Sequence, residues 1–173
     1  MPQVQTIHCV YASTSGNVEM VVELAAQLLQ DKGYKVVLQR AEKTPLDVIA
    51  HHQVFLLATS TWEHGELNPF FVSLLQQMKT LDCSNKVAAF IGLGDRRYEP
   101  VLFCEGVEKV KRVWLQQGGQ ELGETLKIQG EPYAMAKTLV TPWVERLTQL
   151  LVTTVPVTPQ APVHSRPTFS PYA

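Results

Sequence analysis

Between Tyr11 and Met20 the chain reads YASTSGNVEM. Three consecutive hydroxyl residues, Ser13, Thr14 and Ser15, precede Gly16 and Asn17, between an apolar run and the start of a helical apolar period. The first turn of a helix leaves up to four N–H groups without an intrahelical partner and carries a partial positive charge. A glycine turn lined with hydroxyls can therefore hold an anion such as phosphate with no lysine or arginine in it. The plain alternative is a helix cap, which any of these residues makes well. Other phosphate loops fit worse: no Gly-Lys-Ser/Thr follows, and GLGDRR further on lacks the third glycine of a dinucleotide fingerprint, so nucleotide hydrolysis and NAD binding on the first strand are disfavoured.

Two more segments could do chemistry. TSTWEHGEL places Trp62 directly after an apolar run, where the loop meets solvent, and a tryptophan there can present a flat face or lie over the sheet edge. In GLGDRRYEP, Gly92 and Gly94 allow close backbone approach, Asp95 can fix the turn, and Tyr98 offers a second aromatic face, although as a lone residue it could equally be core.

The elements that must position these segments alternate between β-branched apolar runs and helical periods, the pattern of a parallel sheet covered on both faces. The strands are TIHCVY, YKVVLQ, QVFLLATS, KVAAFIGLG and ELGETLKI. A helix from about Asn17 carries Val18, Val21, Ala25 and Leu28 and stops at Gly33; a short linking segment with Pro45 follows the second strand. Later helices carry Phe70 to Met78, run from about Cys104 to Gln117, and run from Ala134 to Leu151, where Pro142 either kinks the helix or starts a second one capped by Thr141. Five such units imply a doubly wound sheet, which binds ligands beyond the carboxyl ends of its strands. The three segments are the loops after strands one, three and four, at that one edge. A phosphate cradle and two aromatic faces there describe a site for a planar ring bearing a phosphate.

Bulk properties exclude several classes. A net charge of −1 in 173 residues gives no reason to expect nucleic acid or anionic lipid as a partner. No apolar run approaches the roughly 18 to 20 residues that cross a bilayer, and Met1–Thr6 carries no leader pattern, so a cytoplasmic protein is expected. Cys9, Cys83 and Cys104 have no metal-ligand spacing and read as buried, reduced thiols; His8, His51 and His52 show no such spacing either. Residues 1–152 are read as one domain. Residues 153–173, rich in proline and without apolar period, are read as a disordered tail.

YASTSGN, STW and GLGD..Y resemble the three FMN-binding segments of short-chain flavodoxins and of the FMN domains of diflavin reductases, over about Thr6 to Leu151. GETLKI is also similar to the small flavoproteins of the MioC type. The resemblance implies an α/β flavodoxin-like three-layer sandwich with a five-stranded parallel sheet in the order 2-1-3-4-5. It implies FMN as cofactor, with its phosphate on Ser13, Thr14, Ser15, Gly16 and Asn17 and at the start of the helix by Val18. Trp62 and Tyr98 would sandwich the ring. Ser60, Thr61, Glu63, His64 and Gly65 with Leu93, Gly94 and Asp95 would address its polar edges, and Cys104 would lie near it. The implied function is an electron-transfer protein, not an enzyme, monomeric, working between a reductase and an acceptor protein. The alternatives are a small FMN-dependent quinone reductase, which Trp62 and Tyr98 would obstruct, and a regulatory module with weak FMN affinity. A phospho-acceptor receiver domain would need acidic residues after strand one, and HCVYAS has none.

The sequence departs from the family pattern in four places. Val18 stands where relatives usually have threonine, and one missing hydrogen bond should weaken binding by about 0.5 to 1.5 kcal/mol. Glu63 stands where many relatives have glycine, and positive φ there would cost about 1 kcal/mol or more unless the turn shifts to Gly65. Arg96 and Arg97 replace small polar residues, read first as surface arginines. The near-neutral net charge, with those arginines, leads us to expect a potential for full reduction less negative than the family's low extreme. His64 is read first as an exposed loop residue, with proton coupling the alternative.

Overall fold

The computed structural model describes residues 4–97 and 102–154. Strand β1 (Thr6–Ala12) is followed by α1 (Asn17–Asp31), β2 (Lys35–Arg40), a short 3-10 turn and α2 (Leu46–His51). Then come β3 (Val54–Ser60), α3 (Pro69–Met78), β4 (Val87–Gly94), α4 (Glu105–Gln116), β5 (Gln120–Glu121), β6 (Leu126–Gln129) and α5 (Ala136–Thr154). The strands pair in parallel in the order β2-β1-β3-β4-β5, and β6 also pairs with β4. This is the α/β sandwich and strand order expected.

Alternation along the buried strands explains the three layers. Ile7, Cys9 and Tyr11 face one side with Leu56, Ala58 and Ile91, covered by Val21 and Val22 of α1 and Val144 and Leu147 of α5. Val10 and Ala12 face the other side with Phe55, Leu57 and Phe90, covered by Phe71 of α3 and Val110 and Trp114 of α4. A strand buried on both faces must be apolar at successive positions, as β4 is. Helix α1 stops where Gly33 takes φ 95°, the Tyr34 N–H reaching the Leu29 carbonyl and the Gly33 N–H that of Gln30.

Three details differ from the sequence reading. The segment around Pro45 contains the helix α2, too short to show an apolar period. The fifth strand is two pieces, because Gly123 at φ 72° breaks ELGETLKI between them; each pairs with a different stretch of β4. The indole N–H groups of Trp114 and Trp143 hold the break, donating to the carbonyls of Gln120 and Glu124. Of the two readings of Pro142 the second helix is not formed: Pro142 lies inside one continuous α5, which starts at Ala136 rather than Ala134. The tail expected from residue 153 lies outside the described residues beyond Thr154, as does Tyr98.

Register brings the first site segments to one edge. Ala12, at the end of β1, lies beside Thr59, and Ser60, at the end of β3, lies beside Leu93. The turns after β1, β3 and β4 therefore leave the sheet together.

Candidate functional site

In the turn after β1 one hydroxyl caps the helix start and two stand open to solvent. Gly16 occupies the N-cap position with φ 87° and makes no side-chain cap. The Ser13 hydroxyl instead accepts from the N–H groups of Gly16 (3.2 Å) and Glu19 (3.3 Å), folding the turn over itself. The first backbone bond of α1 runs from the Met20 N–H to the Gly16 carbonyl, so the amides of Asn17 and Val18 lie in the first turn, beyond reach of intrahelical acceptors. Ser13 is buried, whereas Thr14 and Ser15 are exposed. One hydroxyl thus shapes the turn and two stand open beside first-turn amides. The Val18 side chain is buried with Val21 and Val22.

The loop after β3 is a hairpin. The Trp62 N–H donates to the Glu66 carbonyl (2.8 Å), the Glu66 N–H to the Glu63 carbonyl (3.1 Å), and Thr61 bridges to Leu67. His64 (φ 57°, ψ 28°) and Gly65 (φ 72°) occupy the two central positions, both left-handed, as a type I′ turn requires. Positive φ therefore falls on His64 and Gly65 rather than on Glu63: the turn is shifted. Gly65 is also pressed against Leu102 and Glu105, where a Cβ would stand 3.2 Å from Leu102 carbons. Behind the hairpin the Thr61 N–H donates to the Leu93 carbonyl and its hydroxyl accepts from the Gly106 N–H, tying the loop to β4 and α4. Buried Asn68 donates to the Ser60 hydroxyl and caps α3 through the Phe70 N–H. Trp62, so anchored by its backbone, is 46% exposed.

The loop after β4 is held by charge. Arg97 grips Asp95 through Nε and Nη2 (2.6 to 3.1 Å), and Gln129 Nε2 donates to the same carboxylate. Arg97, above all, holds that carboxyl well below the usual aspartate range. The Arg96 guanidinium lies 4.3 Å from the centre of the Phe103 ring, while the Arg96 backbone N–H donates to Gln129 Oε1. Cys104, buried and left-handed at the start of α4, has its thiol pushed up to about 12, chiefly by burial.

These three turns enclose an open cleft of about 1040 Å³. Ser13, Thr14, Ser15, Asn17 and Val18 line one end; Ser60, Thr61, Trp62, Glu63, His64 and Gly65 line the middle; Leu93, Gly94 and Asp95 close the far side. Gly16 shapes the turn without forming wall, and Cys104 lies behind Gly94, with Sγ 3.2 Å from where a Cβ there would stand. The wall also includes Glu66, Arg97, Leu102, Gly130 and Glu131. Gly130 and Glu131 follow β6, whose carboxyl end opens on the same edge; the QGEP turn after LKI was the available signal. The Gly130 N–H donates to the Gly94 carbonyl, joining the two turns (2.7 Å).

The flavodoxin family profile matches residues 9–143, most of the chain and all three wall segments. The chain belongs to the flavodoxin family. Probable flavodoxin 2 of Bacillus subtilis (strain 168) is 31% identical over 71% of this chain and 81% of its own length. The crystal structure of oxidised Flavodoxin 2 from Bacillus cereus superposes with a TM-score of 0.78 at 28% identity, covering 83% of this chain and 98% of that one. A flavodoxin of Fusobacterium nucleatum, solved bound to flavin mononucleotide, shares the fold at 17% identity and a TM-score of 0.73, over 84% of this chain and 98% of that one. Among the described residues no helix is long and apolar enough to cross a membrane, and no cluster of side chains could hold a metal ion.

Proposed function

We propose that the cleft binds FMN without covalent linkage and that the chain is an FMN-dependent electron carrier between a reductase and an acceptor protein. The observation that carries this reading is a single cleft with an anion-ready helix start at one end and a half-exposed indole in its middle. The fit is favourable on three counts. A cleft of about 1040 Å³ is at the upper end of the range of small-molecule sites. The turn at 13–17 contains no acidic side chain, and its open hydroxyls and first-turn amides suit a dianion. Trp62 is fixed through its backbone while its ring is free to stack.

FMN, when bound, supplies the one- and two-electron chemistry. The work of this chain is to hold and to tune. Thr14, Ser15 and the first-turn amides bind the phosphate, Ser13 keeps the turn closed, and Trp62 covers one face of the ring. Leu93 and Gly94 bring backbone to its polar edge. Glu63, Glu66 and Glu131 on the wall place negative charge around the site, and Arg97 neutralises Asp95. Lys109 lies 3.5 Å from Glu66 and offsets part of that charge. Carboxylates near the ring disfavour added negative charge on it and so make the carrier a better reductant.

The domain is taken to end with α5 at Thr154, two residues beyond the expected 152, with the tail apart from it, and the protein as a cytoplasmic monomer. An anaerobic reductive titration of recombinant protein loaded with FMN tests the reading. A yellow protein that quenches FMN fluorescence, takes up electrons in the titration and shows no NADH-dependent quinone turnover is the expected result. Colourless protein that leaves FMN fluorescence unquenched would overturn it.

A further inference from the structure

The phosphate cradle contains no cation, yet one lies directly behind it. Arg40, the last residue of β2, is half-buried and uses every face of its guanidinium. Nη2 donates to the Ser13 carbonyl (2.5 Å), Nη1 to the Glu19 carboxylate (2.7 Å) and Nε to the Glu42 carboxylate (2.6 Å), while the group lies 5.6 Å from the centre of the Tyr11 ring. The Thr44 hydroxyl fixes the backbone of Arg40 by donating to its carbonyl. We propose that Arg40 is a positioning residue for the cradle and makes the site select a phosphorylated flavin over the same flavin without phosphate; the proposal rests on the FMN reading above.

Two physical effects follow from the contacts. In a trans peptide the C=O and N–H point in opposite directions, so holding the Ser13 carbonyl toward Arg40 turns the Thr14 N–H the other way. Thr14 is on the cleft wall. Arg40 thereby aims an amide, and the planar fork that reaches Ser13 and Glu19 together fixes the turn to the first turn of α1. The second effect is charge. Glu19 is acidic in that same first turn, one residue beyond Val18 of the wall, and would repel a dianion if unpaired. Arg40 pairs it. A lysine carries the charge but cannot bridge both partners, and a methionine does neither.

The test compares FMN with riboflavin, which shares the ring and lacks the phosphate, by fluorescence quenching with the full chain. Arg40→Met should weaken FMN binding by on the order of tenfold or more, as expected for losing charge-assisted contacts, with riboflavin changed less than about twofold. Arg40→Lys should fall between, again on FMN alone, and carries the test if Arg40→Met does not fold. A merely structural role would weaken both flavins together, and that result overturns the proposal, as does an unchanged FMN affinity. Wild-type protein that quenches neither flavin would instead sink the FMN reading itself.

Discussion

At the scale of single residues, the cleft separates what grips the ring from what shapes the wall. Trp62 is anchored through its backbone and has its indole half exposed on the cleft wall. Trp62→Ala should therefore weaken FMN and riboflavin alike, by roughly 1 to 3 kcal/mol, the range for one aromatic stacking on a base. Flavin fluorescence quenching measures both. His64 is a shaping residue, because its φ of 57° is a conformation that histidine and asparagine tolerate and β-branched residues do not. His64→Asn should leave thermal stability near wild type, whereas His64→Val should cost about 1 to 2 kcal/mol, read from urea unfolding. A valine variant as stable as wild type would mean that the type I′ turn does not persist in solution.

Elements set how far apart these residues stand. Helix α4 approaches the end of β3 so closely that only glycine fits at its second position: a Cβ on Gly106 would lie 2.6 Å from the Ser60 carbonyl oxygen and 3.0 Å from the Thr61 hydroxyl. Gly106→Ala must push the helix off the loop that carries Trp62. The expected loss is about 1 to 3 kcal/mol of stability, from chemical denaturation, accompanied by weaker flavin binding. The order of elements was legible in the sequence because both-face burial writes long apolar strands and amphipathic helices around them. Helix α2 was not, being six residues started by Pro45. The break in the fifth strand was not either, since a glycine in a strand signals an interruption without saying where pairing resumes. Within the site, the three turns could be read from residue type, and the shift of positive φ to His64 followed only from the hairpin bonds. Arg40 gave no local signal: it lies on another strand and reaches the turn through space.

At the scale of the whole molecule, the end of the sheet away from the cleft carries a buried histidine. His8 is buried with neither ring nitrogen hydrogen-bonded, and it stacks on His52 with ring centres 3.7 Å apart. Burial, then the charges of His52 and Lys35, lower its pKa from the usual 6.5. As pH falls below that value the unfolded chain binds a proton that the folded chain resists, so stability is complete above about pH 6.5 and declines on acidification toward the lowered value. His8→Phe should flatten this dependence, seen as urea midpoints that fall less steeply than those of wild type as pH drops below about 6.5. Net charge is a poor guide to the cleft at this scale. The chain carries −1 in total, yet its wall holds Glu63, Glu66 and Glu131 beside the paired Asp95 and Arg97. An expectation about potential drawn from the total alone averages over that local excess of carboxylate.

The bend at Gly123 also governs how copies of the chain meet. Along that margin a passing strand is offered Gln120–Glu121 and then, after a gap, Leu126–Gln129, never one unbroken row of amides and carbonyls. Sheet-to-sheet zippering of crowded protein therefore has little to grow from on that side. The opposite margin, β2, is longer and begins at exposed Lys35, a charge of the kind that discourages strand addition at an edge.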